Sequence, residues 1–209
     1  MKKIKYKYEA IDFLKNYIDS NYNGAVLLEE KSLILDNFIQ NDFFLSDKNC
    51  SLVAMTRIIK YYCEPFNNIP YNSKDIYKEI YNIALHYGFN LRTGTPPTKI
   101  DYILSDYFEK IGIEIKSKDY YLPNFYKPIK KELDNNRPLI MNIAFGEYNN
   151  HSITITGYKI YKYKHMNIKF LEVYDGWKRT HSYIDYNVFA HNLFSINYYS
   201  INSLQIKKG

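Results

Sequence analysis

Apolar residues recur at helical spacing through much of the first 136 residues of this chain. Between residues 50 and 62 they follow one another at intervals of three or four, which predicts a helix with one buried face. A second helix is predicted over residues 73–88, with Ser73 as its N-cap. Further helices are predicted in the segments YEAIDFLKNYIDSNY, PPTKIDYILSDYFEKIG and NFYKPIKKELDNN.

The pattern changes at Arg137, after which alternating or continuously apolar runs predict strands in RPLIMNIAF, HSITITGYK and NIKFLEVYDGW. Shorter strands or extended segments are expected earlier, in GAVLLEE, SLILDNFI and GIEIKS. A helical part followed by a β-rich part is typical of the α+β class. We therefore expect one domain over residues 1–209, with an N-terminal extension (1–45), a helical half (46–136) and a β half (137–209).

Two of the predicted strands, HSITITGYK and NIKFLEVYD, are separated by a polar segment and are expected to form a hairpin. His151 opens the first strand and Asp175 closes the second, and the midpoint between them is Tyr163, in the polar segment. In an antiparallel pair, the start of one strand lies beside the end of the other. The pattern thus predicts that an imidazole and a carboxylate meet at one end of the sheet, where the carboxylate can orient the ring.

A cysteine stands at the start of the helix predicted from residue 50. Either Cys50 is a small apolar residue that fills a gap, or it is a nucleophile. The unpaired N–H groups and partial positive charge of a helix N-terminus favour a thiolate. The other cysteine, Cys63, lies 13 residues further on and is expected to pack near the far end of the same helix. A disulfide between the two is excluded within one straight helix.

Composition and charge limit the classes of function. The net charge of +6 is spread over scattered lysines, with no basic run or nucleic-acid motif, so no specific nucleic-acid partner is expected. No Cys and His cluster has zinc-ligand spacing, and we expect neither a metal nor a cofactor. No apolar run is long enough to cross a membrane and no secretory signal is visible, so a soluble cytoplasmic protein is expected.

Three segments resemble a known family. NCSLVAMTRIIKYY resembles the nucleophile helix of papain-like cysteine peptidases, and is most similar to free-standing relatives of the bacterial peptidases that remove double-glycine leaders from bacteriocin precursors. RPLIMNIAFGEYNNHSITITGYK resembles their general-base segment, and VYDGW their closing segment. The resemblance covers residues 44–60 and 136–178. It implies a papain-like fold, with Cys50 as nucleophile, His151 as general base and acid, and Asp175 as orienting carboxylate.

The chain also departs from the family pattern. Ser51 stands where the family usually has Gly, and Gly176 where it often has Pro. The family commonly places an oxyanion-hole Gln about six residues before the cysteine, where this chain has Phe44. Gln40, ten residues before, is expected to lie too far away without a bulge. Asn49 is the expected substitute, either as an oxyanion donor or as the helix N-cap.

Other residues near the predicted triad are assigned smaller roles. Asp47 is the second polar residue close to Cys50, and Trp177 is either a core residue or a cover over the His–Asp contact. Residues 64–136 are expected to supply a substrate groove, which their tyrosines could line. The remaining histidines are expected at the surface, and they are His86, His165, His181 and His191.

These observations favour a thiol hydrolase that cleaves a peptide or amide bond through an acyl-enzyme on Cys50. Two alternatives stay open at this point. One is a transglutaminase-like acyltransferase that uses the same triad with an amine acceptor. The other is a papain-like scaffold that binds a peptide or small molecule without turnover, which the missing Gln favours.

Overall fold

The computed structural model describes residues 7–45, 47–64, 72–120, 126–191 and 199–207. The helices, numbered in chain order, are α1 Leu14–Asn21, α2 Cys50–Cys63, α3 Ser73–His86, α4 Ile100–Lys110, α5 Tyr126–Asp134 and α6 Tyr186–His191. The strands are β1 Val26–Ser32, β2 Ile115–Tyr120, β3 Leu139–Ile143, β4 His151–Tyr163, β5 Met166–Tyr174, β6 Ser182–Asp185 and β7 Tyr199–Ile206.

Within the described residues, the strands form one antiparallel sheet in the order β2-β7-β3-β4-β5-β6. The long strand β4 pairs with β3 through residues 151–155, and with β1 through residues 157–162. The predicted α+β class is confirmed. The sheet also takes β1 from the first 45 residues and β2 from the predicted helical half, so it is not built from residues 137–209 alone.

The hairpin of β4 and β5 is confirmed. Tyr163 pairs with Met166, so the turn consists of the two residues between them, close to the predicted centre. A bulge between Ile155 and Gly157 shifts the pairing of β4 with β5 at the end away from the turn, where Thr154 pairs with Tyr174. The first residue of β4 and the residue after β5 therefore lie at the same end of the sheet.

Helix α2 is held against the sheet by its apolar side. Leu52, Met55 and Ile59 are almost completely buried, in a cluster that also contains residues of α3 and α4 and, from the sheet, Ile140 and Leu204. Full burial of such a side chain stabilises the fold by about 1.5–3 kcal/mol. This packing fixes where the first turn of α2 lies relative to β4.

Helix α3 begins at Ser73, which was expected to be its N-cap; the N-cap is instead Asn72. The Asn72 side chain accepts a hydrogen bond from the backbone N–H of Lys74 at 3.0 Å. Asn and Ser are both good N-caps, so the sequence pattern alone did not distinguish two neighbouring candidates.

Candidate active site

Cys50 is the first residue of α2 and is partly exposed. Cys63 is the last residue of the same helix, where it is buried, and burial raises the pKa of its thiol to about 11. Both thiols are free. The helix thus carries a partly exposed cysteine at its start and a buried cysteine at its end.

His151 is the first residue of β4 and is only 7% exposed. Its Nε2 lies 2.6 Å from the main-chain carbonyl oxygen of Asp175, and its ring is close enough to the Cys50 thiol to shift the pKa values of both groups. Since Nε2 is engaged by the carbonyl, Nδ1 is the nitrogen that is left for the thiol. The two residues predicted to react together are brought into contact.

The Cys50–His151 contact changes the pKa values of both groups. Burial alone would raise the pKa of the Cys50 thiol, but hydrogen bonding and charge from His151, with the N–H groups of Ser152 and Ser51, hold it below its usual value. Burial lowers the pKa of His151, but the Cys50 thiolate and the carbonyl and charge of Asp175 raise it above its usual value overall. Both shifts favour a thiolate–imidazolium pair.

The carboxylate of Asp175 does not contact the imidazole, contrary to the expected geometry. Its Oδ1 accepts the backbone N–H groups of Trp177 and Lys178 at 2.9 and 3.3 Å, and its Oδ2 accepts the hydroxyl of Ser182 at 2.7 Å. The physical reason is an Asx turn, in which the side chain folds back onto the chain two and three residues on. The main-chain carbonyl of Asp175 is what faces the ring.

Two aromatic rings flank the imidazole of His151. The Trp177 ring centroid is 4.4 Å from that of His151, and Tyr148 is stacked at 5.9 Å. Trp177 is half exposed and Tyr148 is fully buried, with its hydroxyl 3.4 Å from the Asp175 carboxylate. Trp177 therefore packs on the histidine instead of joining the interior core.

Gln40, which sequence reasoning set aside, lies beside Cys50 and His151. It begins a short 3₁₀ turn, Gln40–Asp42, and its backbone N–H donates to the Gly176 carbonyl at 2.8 Å. It lines one pocket together with Cys50 and His151. Phe44, at the expected position, is 61% exposed. The 3₁₀ turn takes up the extra residues, so counting backwards from the cysteine missed the glutamine.

Asn49 occupies the N-cap position of α2, but its side chain makes no capping bond. The side chain is completely buried and donates to the main-chain carbonyls of Gln40, at 3.1 Å, and Leu45. Its Oδ1 accepts a hydrogen bond from Gln40 Nε2 at 2.7 Å. Asn49 thus holds Gln40 in place. Asp47 is exposed at the edge of the same pocket.

Arg57 is a second residue that sequence reasoning missed. It is 1% exposed and forms no salt bridge among the described residues, although the charge of Asp175 acts on it. Its guanidinium donates to the carbonyls of Asp36 and Phe38 at 3.2 and 2.7 Å, and to the Thr154 hydroxyl at 2.6 Å. Burial lowers the pKa of Arg57 to about 10. It ties the segment before Gln40 to α2 and β4.

Two pockets meet at the Cys50–His151 pair, with volumes of about 490 and 340 Å³. Both are lined by Lys48 and Asn150 in addition to the pair. Among the described residues, the segment 64–136 contributes Thr93, Gly94, Thr95 and Pro97 to the larger pocket and no tyrosine to either. That segment does line a groove, but its described tyrosines, which could have lined it, do not; residues 65–71 and 121–125 lie outside the described part.

The other histidines differ in exposure, and none of them lines either of the two pockets. His86, His165 and His191 are exposed as expected, whereas His181 is partly buried and stacked on Tyr174 at 4.3 Å. In the part of the chain that the structure describes, no group of three or more His, Cys, Asp or Glu side chains is placed to hold a metal ion. No helix there is long and apolar enough to cross a membrane.

The fold and the site together define a relative of the papain-like cysteine peptidases. The model of the Peptidase_C39 like family matches residues 34–206, and the chain belongs to this family. The resemblance seen in the three sequence segments is thereby confirmed, and with it the papain-like fold. A comparison with curated proteins finds no match.

Proposed function

We propose that this protein is a thiol hydrolase that cleaves a peptide or amide bond through an acyl-enzyme on Cys50. The observation that carries the proposal is the placement of Cys50 and His151 together at the junction of two pockets, where each shifts the pKa of the other. The lowered pKa of the thiol and the raised pKa of the imidazole support a nucleophile that is ionised at neutral pH. Membership of a peptidase-like family supports the same chemistry.

In the proposed reaction, the Cys50 thiolate attacks the substrate carbonyl carbon and the imidazolium of His151 donates its proton to the leaving amine. The C–N bond breaks and a thioester with Cys50 remains. His151, now neutral, takes a proton from water as the water attacks the thioester; the C–S bond breaks, the carboxylic acid is released, and the thiolate–imidazolium pair of Cys50 and His151 is regenerated. The carbonyl of Asp175 accepts a hydrogen bond from the Nε2–H group throughout, which keeps Nδ1 directed at the reacting atoms.

Negative charge on the substrate oxygen needs hydrogen-bond donors in the transition state. Gln40 has two amide N–H groups. One of them donates to Oδ1 of Asn49, a residue that is completely buried. The other N–H is available to the pocket shared with Cys50. The backbone N–H of Cys50, in the first turn of α2, is the second donor that we assign, since helix N-termini have no intrahelical acceptor there.

Asp175 acts in this proposal through its backbone and its turn. Its carboxylate closes the turn that carries Trp177, whose ring covers the imidazole of His151. The negative charge of Asp175 also contributes to the raised pKa of His151. Asp175 therefore positions the histidine and supports its protonated form without a direct carboxylate–imidazole bond.

The test is incubation of the protein with a complex peptide mixture, read by mass spectrometry, beside the Cys50→Ala and His151→Ala variants. We expect new peptide termini with the wild type and none with either variant. Hydroxylamine in a parallel sample distinguishes an acyltransferase, which would give mostly hydroxamates in place of acids. If peptides bind the wild type but are cleaved no faster by it than by the two variants, the binding scaffold is supported and the proposal is contradicted.

A further inference from the structure

The larger pocket beside Cys50 is lined by both apolar and polar residues. Gly94, Pro97, Ile143 and Ala144 give it apolar walls, and its volume of about 490 Å³ is in the range of sites that bind small molecules or large side chains. Polar side chains from β3, β4 and β7 also line it. The pocket suits an elongated group with an apolar stem and a polar tip.

The polar side chains are buried and bonded to one another in a fixed order. Ser152 donates its hydroxyl to Asn142 Oδ1 at 2.6 Å, and Asn142 Nδ2 donates to Ser200 Oγ at 3.0 Å and to Asn202 Oδ1 at 2.9 Å. Ser152, Asn142 and Ser200 are each at most 8% exposed. Because every member is held by a neighbour, the network presents its remaining hydrogen-bonding capacity in fixed directions.

That remaining capacity includes both a donor and acceptors. The hydroxyl of Ser200 accepts from Asn142, and its own hydrogen has no acceptor among the described residues. The hydroxyl oxygen of Ser152 donates once and keeps lone pairs free. On the opposite side, Thr95 Oγ1 accepts from Ser51 at 2.8 Å, which leaves the Thr95 hydrogen as a second donor. The pocket thus offers O–H donors and oxygen acceptors together.

Charged side chains do not suit this pocket. Its described lining contains no Asp or Glu, and the Cys50 thiolate is already paired with the His151 imidazolium, so a buried lysine or arginine would have no counter-charge of its own. Apart from His151, whose charge is paired with that of Cys50, the cationic lining residue is Lys48, which is exposed, and the buried network supplies only hydroxyl donors for a carboxylate. A carboxamide, with two N–H donors and a carbonyl acceptor, matches both kinds of free group without carrying charge.

We propose that this pocket binds a carboxamide side chain of the substrate, glutamine or asparagine, with Ser200 donating to its carbonyl and Ser152 accepting from its amide. The inference rests on the proposed function, since it assigns the substrate class of the same site. In this arrangement the methylene groups lie between Pro97, Ile143 and Ala144, and the amide reaches the hydroxyl groups of Ser152 and Ser200.

The experiment measures how fast peptides with a reactive carbonyl group at their C-terminus modify Cys50, read by mass spectrometry on the whole protein. Gln, Asn, Met, Leu, Lys or Glu is placed at each of the three residues before that group. Methionine is the matched control for glutamine, because it has similar length but no amide. Rates are divided by the rate with iodoacetamide, which needs no pocket.

At one of the three positions, we expect glutamine or asparagine to react about 10- to 100-fold faster than methionine, the range that an unpaired buried polar group costs. Ser200→Ala should reduce that preference to less than about threefold. Ser203→Ala, which removes the same hydroxyl from the opposite face of β7, should retain it. Equal rates for glutamine and methionine at all three positions would overturn the carboxamide proposal alone. If no peptide modifies Cys50 faster than iodoacetamide does, both the carboxamide proposal and the proposed peptide-cleaving function are overturned.

Discussion

His151 Nε2 lies 2.6 Å from the main-chain carbonyl oxygen of Asp175, while the Asp175 carboxylate is occupied by the turn that follows β5. A carbonyl cannot be removed by a side-chain substitution. The orientation of the imidazole therefore depends on the geometry of this turn, and the negative charge acts on the imidazole at longer range.

Replacement of Asp175 tests this arrangement. In Asp175→Asn, the amide oxygen can still accept from Trp177 and Lys178, so we expect kcat/KM to fall by less than about 10²-fold, well short of the ~10⁴-fold seen where a triad carboxylate binds the imidazole directly. Asp175→Ala removes the whole turn closure and should cost more. Asp19→Asn, at an exposed position, is the control. A loss of about 10⁴-fold in Asp175→Asn would show that the carboxylate itself orients the ring.

Gln40 is the residue to change for the oxyanion hole. We expect Gln40→Ala to lower turnover about 10²–10³-fold, the usual cost of one oxyanion donor, with no change in the pH dependence of Cys50 alkylation. The second measurement separates loss of a donor from loss of the thiolate. Gln205→Ala, an exposed glutamine on β7, should leave both quantities unchanged. Turnover of Gln40→Ala at the wild-type rate would exclude Gln40 from the reaction.

Asn49 should contribute to stability as well as to the site. In Asn49→Asp, the side chain can no longer donate to the main-chain carbonyls of Gln40 and Leu45. A carboxylate oxygen, which only accepts, would then face these two carbonyl oxygens. We expect the free energy of unfolding to fall by about 1–3 kcal/mol in a urea titration. Asn41→Asp, the same change at an exposed position of the same loop, should have little effect. Equal stability of the two variants would contradict the assigned contacts.

Much of this site follows from patterns in the sequence, and the rest depends on features that patterns do not encode. Helical spacing predicted α2 with Cys50 at its start, and the symmetric hairpin predicted that His151 and Asp175 share one end of the sheet. Spacing gives backbone register but not side-chain direction, which is why the carbonyl of Asp175 was not expected. Gln40 was missed because a 3₁₀ turn alters the separation from Cys50.

Glu9 provides a test of the loop before β4 that does not depend on catalysis. Its side chain is completely buried, accepts the backbone N–H of Tyr148 at 3.2 Å, and lies so close to Gly146 that a Cβ there would approach Oε1 to 2.6 Å. Burial raises the pKa of Glu9 more than its hydrogen bonds to the N–H groups of Tyr148 and Glu147 lower it.

A raised pKa in the folded state means that Glu9 stabilises the fold most when it is protonated. Its contribution is complete below the unfolded pKa of about 4.3 and is lost as pH rises through the folded pKa. Glu9→Gln cannot ionise, so this loss of stability should be absent in the variant. As pH rises, its free energy of unfolding should increase relative to the wild type by about 1.4 kcal/mol for each unit of difference between the folded and unfolded pKa values of Glu9. Urea unfolding between pH 4 and pH 7 measures it, with Glu109→Gln, an exposed position, as control. Parallel curves for Glu9→Gln and wild type would contradict the raised pKa.

The central claim is that Cys50 and His151 form a reactive pair, and the pH dependence of Cys50 alkylation by iodoacetamide tests it most directly. Cys63 is the internal control, because burial keeps its thiol protonated and covered. We expect Cys50 to react as a thiolate well below pH 8, and to lose that reactivity at low pH in His151→Ala. If Cys50 instead titrates near pH 8.5, as an ordinary thiol does, in both proteins, the pair does not exist and the account is wrong.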